Sequence, residues 1–246
     1  MNLLTIARRE LLAYFYSPIA YVVLALFLLI QGIYFWLFLT FLSQPGAPPG
    51  AVMSYFFGGT ILFWMSTIFS VSLLSMRLLA EERRSGTFET LLTAPVRDIE
   101  VVLGKYLACL LFYLLLWLPE VIYVALLWRF AGRPDLGPIA AGYLGAFLVG
   151  AALMSFGLLA SALTRNQIIA ATLAFVFSWA LVLVGVAQDF VTSQSLRDTL
   201  GYVHMFKLME DFGRGIVDTR HVVFLLTLTV LGLYATTKVV ELKKGA

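Results

Sequence analysis

Six runs of apolar residues, at 19–42, 55–79, 101–128, 139–163, 168–187 and 222–240, constrain this chain more than any other feature of it. Each is close to the ~20 residues that an α-helix needs to cross ~30 Å of hydrocarbon. Lipid offers no water to backbone amides and carbonyls, so a crossing segment must satisfy them itself, and a helix does this one segment at a time. The runs predict an all-α integral membrane protein with six transmembrane helices, forming one domain over residues 1–246. Composition supports this. Charged residues make up 13% of the chain, about half of the ~25% usual in soluble domains, which is too little polar surface to cover a water-soluble globule. The single cysteine, Cys109, lies inside an apolar run, so no intrachain disulfide can form.

Residues 1–17 alternate polar and apolar at helical spacing. Leu4, Ala7, Leu11, Tyr14 and Phe15 share one face, with Arg8, Arg9 and Glu10 on the other, the pattern of a helix lying in the membrane surface. A signal peptide is disfavoured, because the apolar run behind it is too long and no small-residue cleavage site follows. Glu10 and that long run also argue against a twin-arginine signal. Six spans put both termini on one side, together with residues 80–100 and Arg165. That side carries eleven of the 17 Lys and Arg residues and the other carries six, so the termini are expected in the cytoplasm.

On the opposite side, residues 188–221 form a longer polar connection between the fifth and sixth runs. Leu196, Leu200, Val203 and Phe206 or Lys207 recur there at helical spacing among charged residues, predicting an amphipathic helix lying at, or dipping into, the outer leaflet. Gly213 and Gly215 break it, and Asp218 is a helix cap for the last span. Gly142, Ala146 and Gly150, four apart on the fourth span, form a small-residue ridge that lets helices approach closely. It is read as packing within the chain.

The stretch 80–100 cannot face lipid. It carries Glu81, Glu82, Glu89, Asp98 and Glu100 with Arg83, Arg84 and Arg97. Within it Thr87 can cap a short helix, Glu89 sits near the positive helix end, and Pro95 stops it. Phe88, Leu91 and Leu92 then share one face. The residues alone leave two readings of this face: a plug that docks on another protein, or a helix resting on the bilayer. Glu81-Glu82 beside a span suggests a glutamate-glutamate-x-x-x-arginine intramembrane protease, but Gly86 stands where that motif needs arginine. A phosphate-cradling loop is also missing, since the only Gly-Lys, Gly104-Lys105, is followed by tyrosine and lacks the preceding glycine. This chain is not expected to hydrolyse ATP itself or to act as an enzyme.

The run Glu81 to Arg84, Gly86-Thr87, Glu89, Leu91-Leu92 and Pro95 resembles the loop after the second span in type 2 ABC transporter permeases. The layout of surface helix, six spans and polar outer segment before the last resembles that family over the full chain. The stretch from Arg214 to Arg220 is similar to the gliding-motility and copper-enzyme-maturation branches. This resemblance implies a permease subunit of the bacterial cytoplasmic (inner) membrane, multi-pass, with both termini cytoplasmic. It pairs with a second permease chain, identical or homologous, and is driven by two copies of an ABC ATPase subunit. ATP and Mg would be bound by that partner, no cofactor by this chain, and no nucleic acid is expected. Glu81, Glu82, Arg83, Arg84, Gly86, Thr87, Phe88, Glu89, Leu91, Leu92 and Pro95 would form the ATPase-docking segment, or coupling helix, and most relatives are exporters.

One charge remains at membrane depth. Glu120 follows Pro119 in the third run, where proline can bend the helix, and an ionisable group there is costly enough to suggest function. A bond to an interfacial partner such as Arg129 is the plainer reading. An ion-coupled secondary transporter would call for several such charges, and Glu120 is the one offered. A membrane subunit that passes ATPase-driven motion to another machine without transporting anything would need the same lever.

Overall fold

What distinguishes the segments is how each one starts, stops and finds neighbours. A computed structural model describes residues 3–42, 56–86, 97–130 and 135–244, and there is no strand among them. In chain order the helices are α1 (Leu3–Phe15), α2 (Pro18–Leu42), α3 (Ile61–Ser75), α4 (Ala80–Ser85), α5 (Asp98–Trp117), α6 (Val121–Phe130), α7 (Leu136–Leu163), α8 (Gln167–Val184), α9 (Gln194–Tyr202), α10 (Met205–Gly213) and α11 (Thr219–Lys244). Six helical stretches are long and apolar enough to cross a membrane: Pro18–Phe41, Ile61–Ser85, Asp98–Arg129, Leu136–Leu163, Gln167–Gln188 and Thr219–Lys243. The chain is thus the all-α, six-span protein that the apolar runs predict.

Polar residues set the ends. Asp135 Oδ1 accepts from the Gly137 amide at 3.0 Å to open α7, and Asn166 Oδ1 accepts from the Ile168 amide at 2.9 Å to open α8. Asp218 does the same for α11 through the Arg220 amide at 2.8 Å. Pro119 interrupts the third span with a 3-10 turn, Leu118–Glu120, between α5 and α6, as its missing N–H dictates. The second span departs from expectation: it begins at Ile61, passes through four turn residues at 76–79, and resumes as α4. Residues 80–85, read from sequence as loop, are therefore helix.

The fourth span, α7, is the centre of the bundle. Its most apolar stretch is 78% buried, against 28% for the fifth and sixth spans, and it touches α3, α5, α8, α10 and α11. Its small-residue ridge works within the chain. A Cβ at Gly142 would come within 2.2 Å of the Phe57 ring, and one at Gly150 within 2.2 Å of the Tyr113 ring.

Two amphipathic segments bury different surfaces from those expected. Helix α1 lies along α5, with Ile6 and Tyr14 fully buried and Leu4 75% exposed. Ile6 fits where Gly104 has no side chain, since a Cβ there would sit 2.8 Å from Ile6 Cγ2. At the other end of the bundle, residues 188–221 form two helices rather than one. His204 Nδ1 accepts from the Lys207 amide at 3.1 Å and starts α10 afresh. The apolar face of α10 (Met205, Leu208, Met209, Phe212) is buried by protein. Phe212 rests on Gly145, Met209 on Gly58, and the Phe206 ring lies 5.1 Å from that of Trp64. Apolar periodicity says which side of a helix avoids water. In a membrane, either lipid or protein can meet that demand.

Candidate functional site at the root of the charged loop

The charged stretch enters the structure as α4, and its anchoring begins one turn earlier. Between α3 and α4 the chain leaves α-helical pairing, which exposes backbone groups at a buried position. Ser161 of α7 takes them up: its Oγ accepts from the amides of Leu79 and Ala80, each at 3.0 Å, and donates to the Met76 carbonyl at 2.9 Å. One buried hydroxyl therefore splices the bend in the second span to the central helix. Arg77, within the bend, donates to the Ala13 carbonyl at 3.1 Å and lies 4.7 Å over the Tyr14 ring. Tyr14 in turn donates to the Leu74 carbonyl at 2.7 Å. The end of α1 is thereby fastened to the end of α3.

The strongest electrostatic feature is a four-membered ion cluster. Lys105 of α5 is 1% exposed, and its Nζ lies 2.8 Å from Glu82 Oε1 of α4 and 3.1 Å from Glu10 Oε1 of α1. Arg9 reaches the same two carboxylates, at 2.9 Å from Glu10 and 3.6 Å from Glu82. Two cations and two carboxylates make the cluster neutral, which offsets the cost of taking charge out of water. Burial pushes the Glu10 carboxyl up, but the Lys105 ammonium and the Arg9 guanidinium outweigh it and hold the group below its ordinary value. Glu10, placed on the water-facing side by sequence, points inward because its counter-charge is there.

A third set of bonds ties α4 to the far end of α7. Arg83 donates to the Ala162 carbonyl at 2.8 Å, and Lys243 of α11 donates to Ala162 and Leu163 carbonyls at 2.8 and 3.2 Å. Cations at a helix C-terminus satisfy its unpaired carbonyls and oppose its dipole. Through Glu82, Arg83 and the Ala80 amide, α4 is bound at once to α1, α5 and α7, and Lys243 brings α11 to the same carbonyls.

Of the residues assigned to the docking segment, Glu82 and Arg83 are these anchors. Glu81 lies 4.0 Å from Arg77 and is 56% exposed at its side chain, and Arg84 is exposed. Gly86 ends α4 in the left-handed region at φ 75°, which glycine adopts without strain. Thr87, Phe88, Glu89, Leu91, Leu92 and Pro95 lie outside the described residues. Lys105, Glu10 and Ser161 were missed as site residues. The signal for the first was present, since a lysine five residues into a predicted apolar span calls for a partner.

Glu120 lies far from this cluster, at the bend of the third span. It is fully buried, and among the described residues neither carboxylate oxygen has a hydrogen-bond partner, Arg129 included. Gln31 of α2 is the polar side chain beside it. The carboxyl borders a cavity of about 10 Å³ walled in part by Phe35, Phe57 and Tyr123. Arg129, the interfacial partner considered from sequence, is exposed.

The family described as ABC-2 family transporter protein matches residues 39–206, more than half of the chain. No curated protein matches it.

Proposed function

The chain belongs to the ABC-2 transporter family and is a permease component of an ABC transporter, and from that premise we propose that it is one half of the membrane domain of an exporter driven by a separate ATPase. Residues 81–95 form the docking segment, seated in a cleft of one of two ATPase copies, and a second permease, identical or homologous, completes the pore. The charge distribution supports both termini in the cytoplasm, and the family resemblance supports the bacterial inner membrane. ATP and Mg belong to the ATPase. The likeness of residues 214–220 to the gliding-motility and copper-enzyme-maturation permeases supports placement in that branch.

The observation that carries this reading is the ion cluster of Lys105, Glu10, Glu82 and Arg9 at the root of the docking segment. A loop that only rested on the bilayer would need no such footing. Here a push on the segment reaches the surface helix, the third span and the central span together, through buried charge and the Ser161 hydroxyl rather than through mobile surface side chains. Buried ion clusters respond steeply to small displacements because attraction in a low dielectric falls quickly once geometry is lost.

The test is to replace Phe88, Leu91 and Leu92 together with alanine and purify the assembled transporter. Loss of the ATPase subunit, or of transport-stimulated ATP hydrolysis, is the expected outcome; full occupancy with full stimulation would overturn the docking assignment. Glu120 is proposed as a transport-pathway residue on the strength of its buried carboxyl, which has no hydrogen-bond partner among the described residues. Unchanged transport with Glu120→Gln in the same assay removes that role.

A further inference from the structure

At the end of the bundle remote from the termini, three elements enclose a polar basin of about 690 Å³. Arg197 comes to it from α9, Lys207 from α10 and Arg220 from the head of α11. Among the described residues, two carboxylates face it. Asp218 Oδ1 accepts from the Arg220 amide as the cap of α11, and Asp211 Oδ2 lies 3.8 Å from His221 Nδ1. Among the described residues, Arg197, Lys207 and Arg220 form no ion pair. Three permanent cations among the described residues thus converge on one concavity that two carboxylates share.

The neutral atoms point the same way. Because His204 Nδ1 accepts from the Lys207 amide, the neutral ring carries its proton on Nε2 and offers a donor. Tyr202 and Gln188 add further donors at the rim. The 26-residue α11 opens into the basin at its N-terminal end, whose dipole favours negative charge. Isolated surface cations are commonly just solvated, but here guanidinium, ammonium and imidazole donors from separate elements surround a common volume. Arginine's planar fork matches the geometry of phosphate oxygens.

Depth indicates where the anion comes from. Beside the basin, on segments that do not span, Phe190 is 85% exposed, Tyr202 65%, Ile216 53% and Val217 47%. Exposed aromatic and aliphatic side chains at the end of a membrane bundle sit at headgroup level, so the basin opens where phosphates of the leaflet lie.

We infer that this basin binds a phosphate-bearing group, held by Arg197, Lys207 and Arg220, with His204 as a further donor in its lining. A phospholipid headgroup and free phosphate share this chemistry. The site is independent of ATPase docking.

The experiment uses the full chain in neutral detergent. Binding of dioctanoyl phosphatidylglycerol, of dioctanoylglycerol as a phosphate-free control, and of inorganic phosphate is compared for the wild type and Arg197→Gln/Arg220→Gln. Lys207→Gln serves as a second variant whose exposed side chain has no packing role. The expected result is an apparent Kd for phosphatidylglycerol at least tenfold weaker in the double variant and several-fold weaker in Lys207→Gln. Wild-type binding should weaken with added salt, and the control lipid should show no difference among the proteins. If inorganic phosphate shows the same variant dependence and phosphatidylglycerol does not, the ligand is a soluble phosphate. Equal binding of both probes by wild type and variants, or binding of neither, overturns the site.

Discussion

Lys105 shows how much one side chain can carry in a chain with so few charges. Removing it takes away the buried ammonium that Glu10 and Glu82 share and leaves the two carboxylates with the more exposed Arg9 between them. Breaking one member out of a buried ion network costs about 3–5 kcal/mol. Lys105→Met should therefore lower the melting temperature of the detergent-solubilised chain, and adding Glu10→Gln and Glu82→Gln should restore most of the loss. Failure of that rescue would show that the lysine stem, rather than its charge, matters. Glu10 also gives the cluster a pH dependence of definite sign. Its carboxyl titrates below its ordinary value of 4.5 in the folded chain, so between the two values the unfolded state binds more protons. Stability from this group is complete above pH 4.5 and fades as pH falls through the lowered value. A melting-temperature profile below that pH should be flatter in Glu10→Gln than in wild type.

Between elements, Ser161 has the role that backbone pairing plays inside a helix. The amides of Leu79 and Ala80 lose α-helical partners where the second span bends, and this hydroxyl accepts from both. Ser161→Ala strands two buried donors and should cost about 1–3 kcal/mol for each donor left unsatisfied. The same change should loosen α4 from α7 and reduce transport-stimulated hydrolysis in the assembled complex while leaving ATPase occupancy intact. Faster amide exchange at Leu79 and Ala80, read by mass spectrometry, checks the structural half of that statement. Exchange unchanged at both positions would show that the bend is held by other contacts.

Across the whole molecule, a buried central helix is surrounded by spans that keep much of their apolar surface outward. The terminal end carries the charged anchors, and the opposite end is plugged by α10. Orientation follows from labelling a position at each end. Phe190 is 85% exposed at one end and Leu242 is 74% exposed at the other, while the natural Cys109 is fully buried and silent. A membrane-impermeant maleimide added to intact cells should label Phe190→Cys, and should label Leu242→Cys only after permeabilisation. The reverse pattern would place the anchors outside and remove the ATPase reading with them.

The amino-acid sequence by itself determined the number of spans, the bend at Pro119 and the cap at Asp218, because each rests on backbone hydrogen bonding within a few residues of chain. It also marked Glu81 to Arg84 as a segment that lipid could not cover. Tertiary structure alone decided that Glu10 turns inward to Lys105, that Gly150 makes room for Tyr113, and that the apolar face of α10 meets α7 instead of lipid. Those outcomes depend on which surfaces meet across distances of tens to about a hundred residues. Helical periodicity records that a face avoids water and is silent on whether hydrocarbon or another helix covers it.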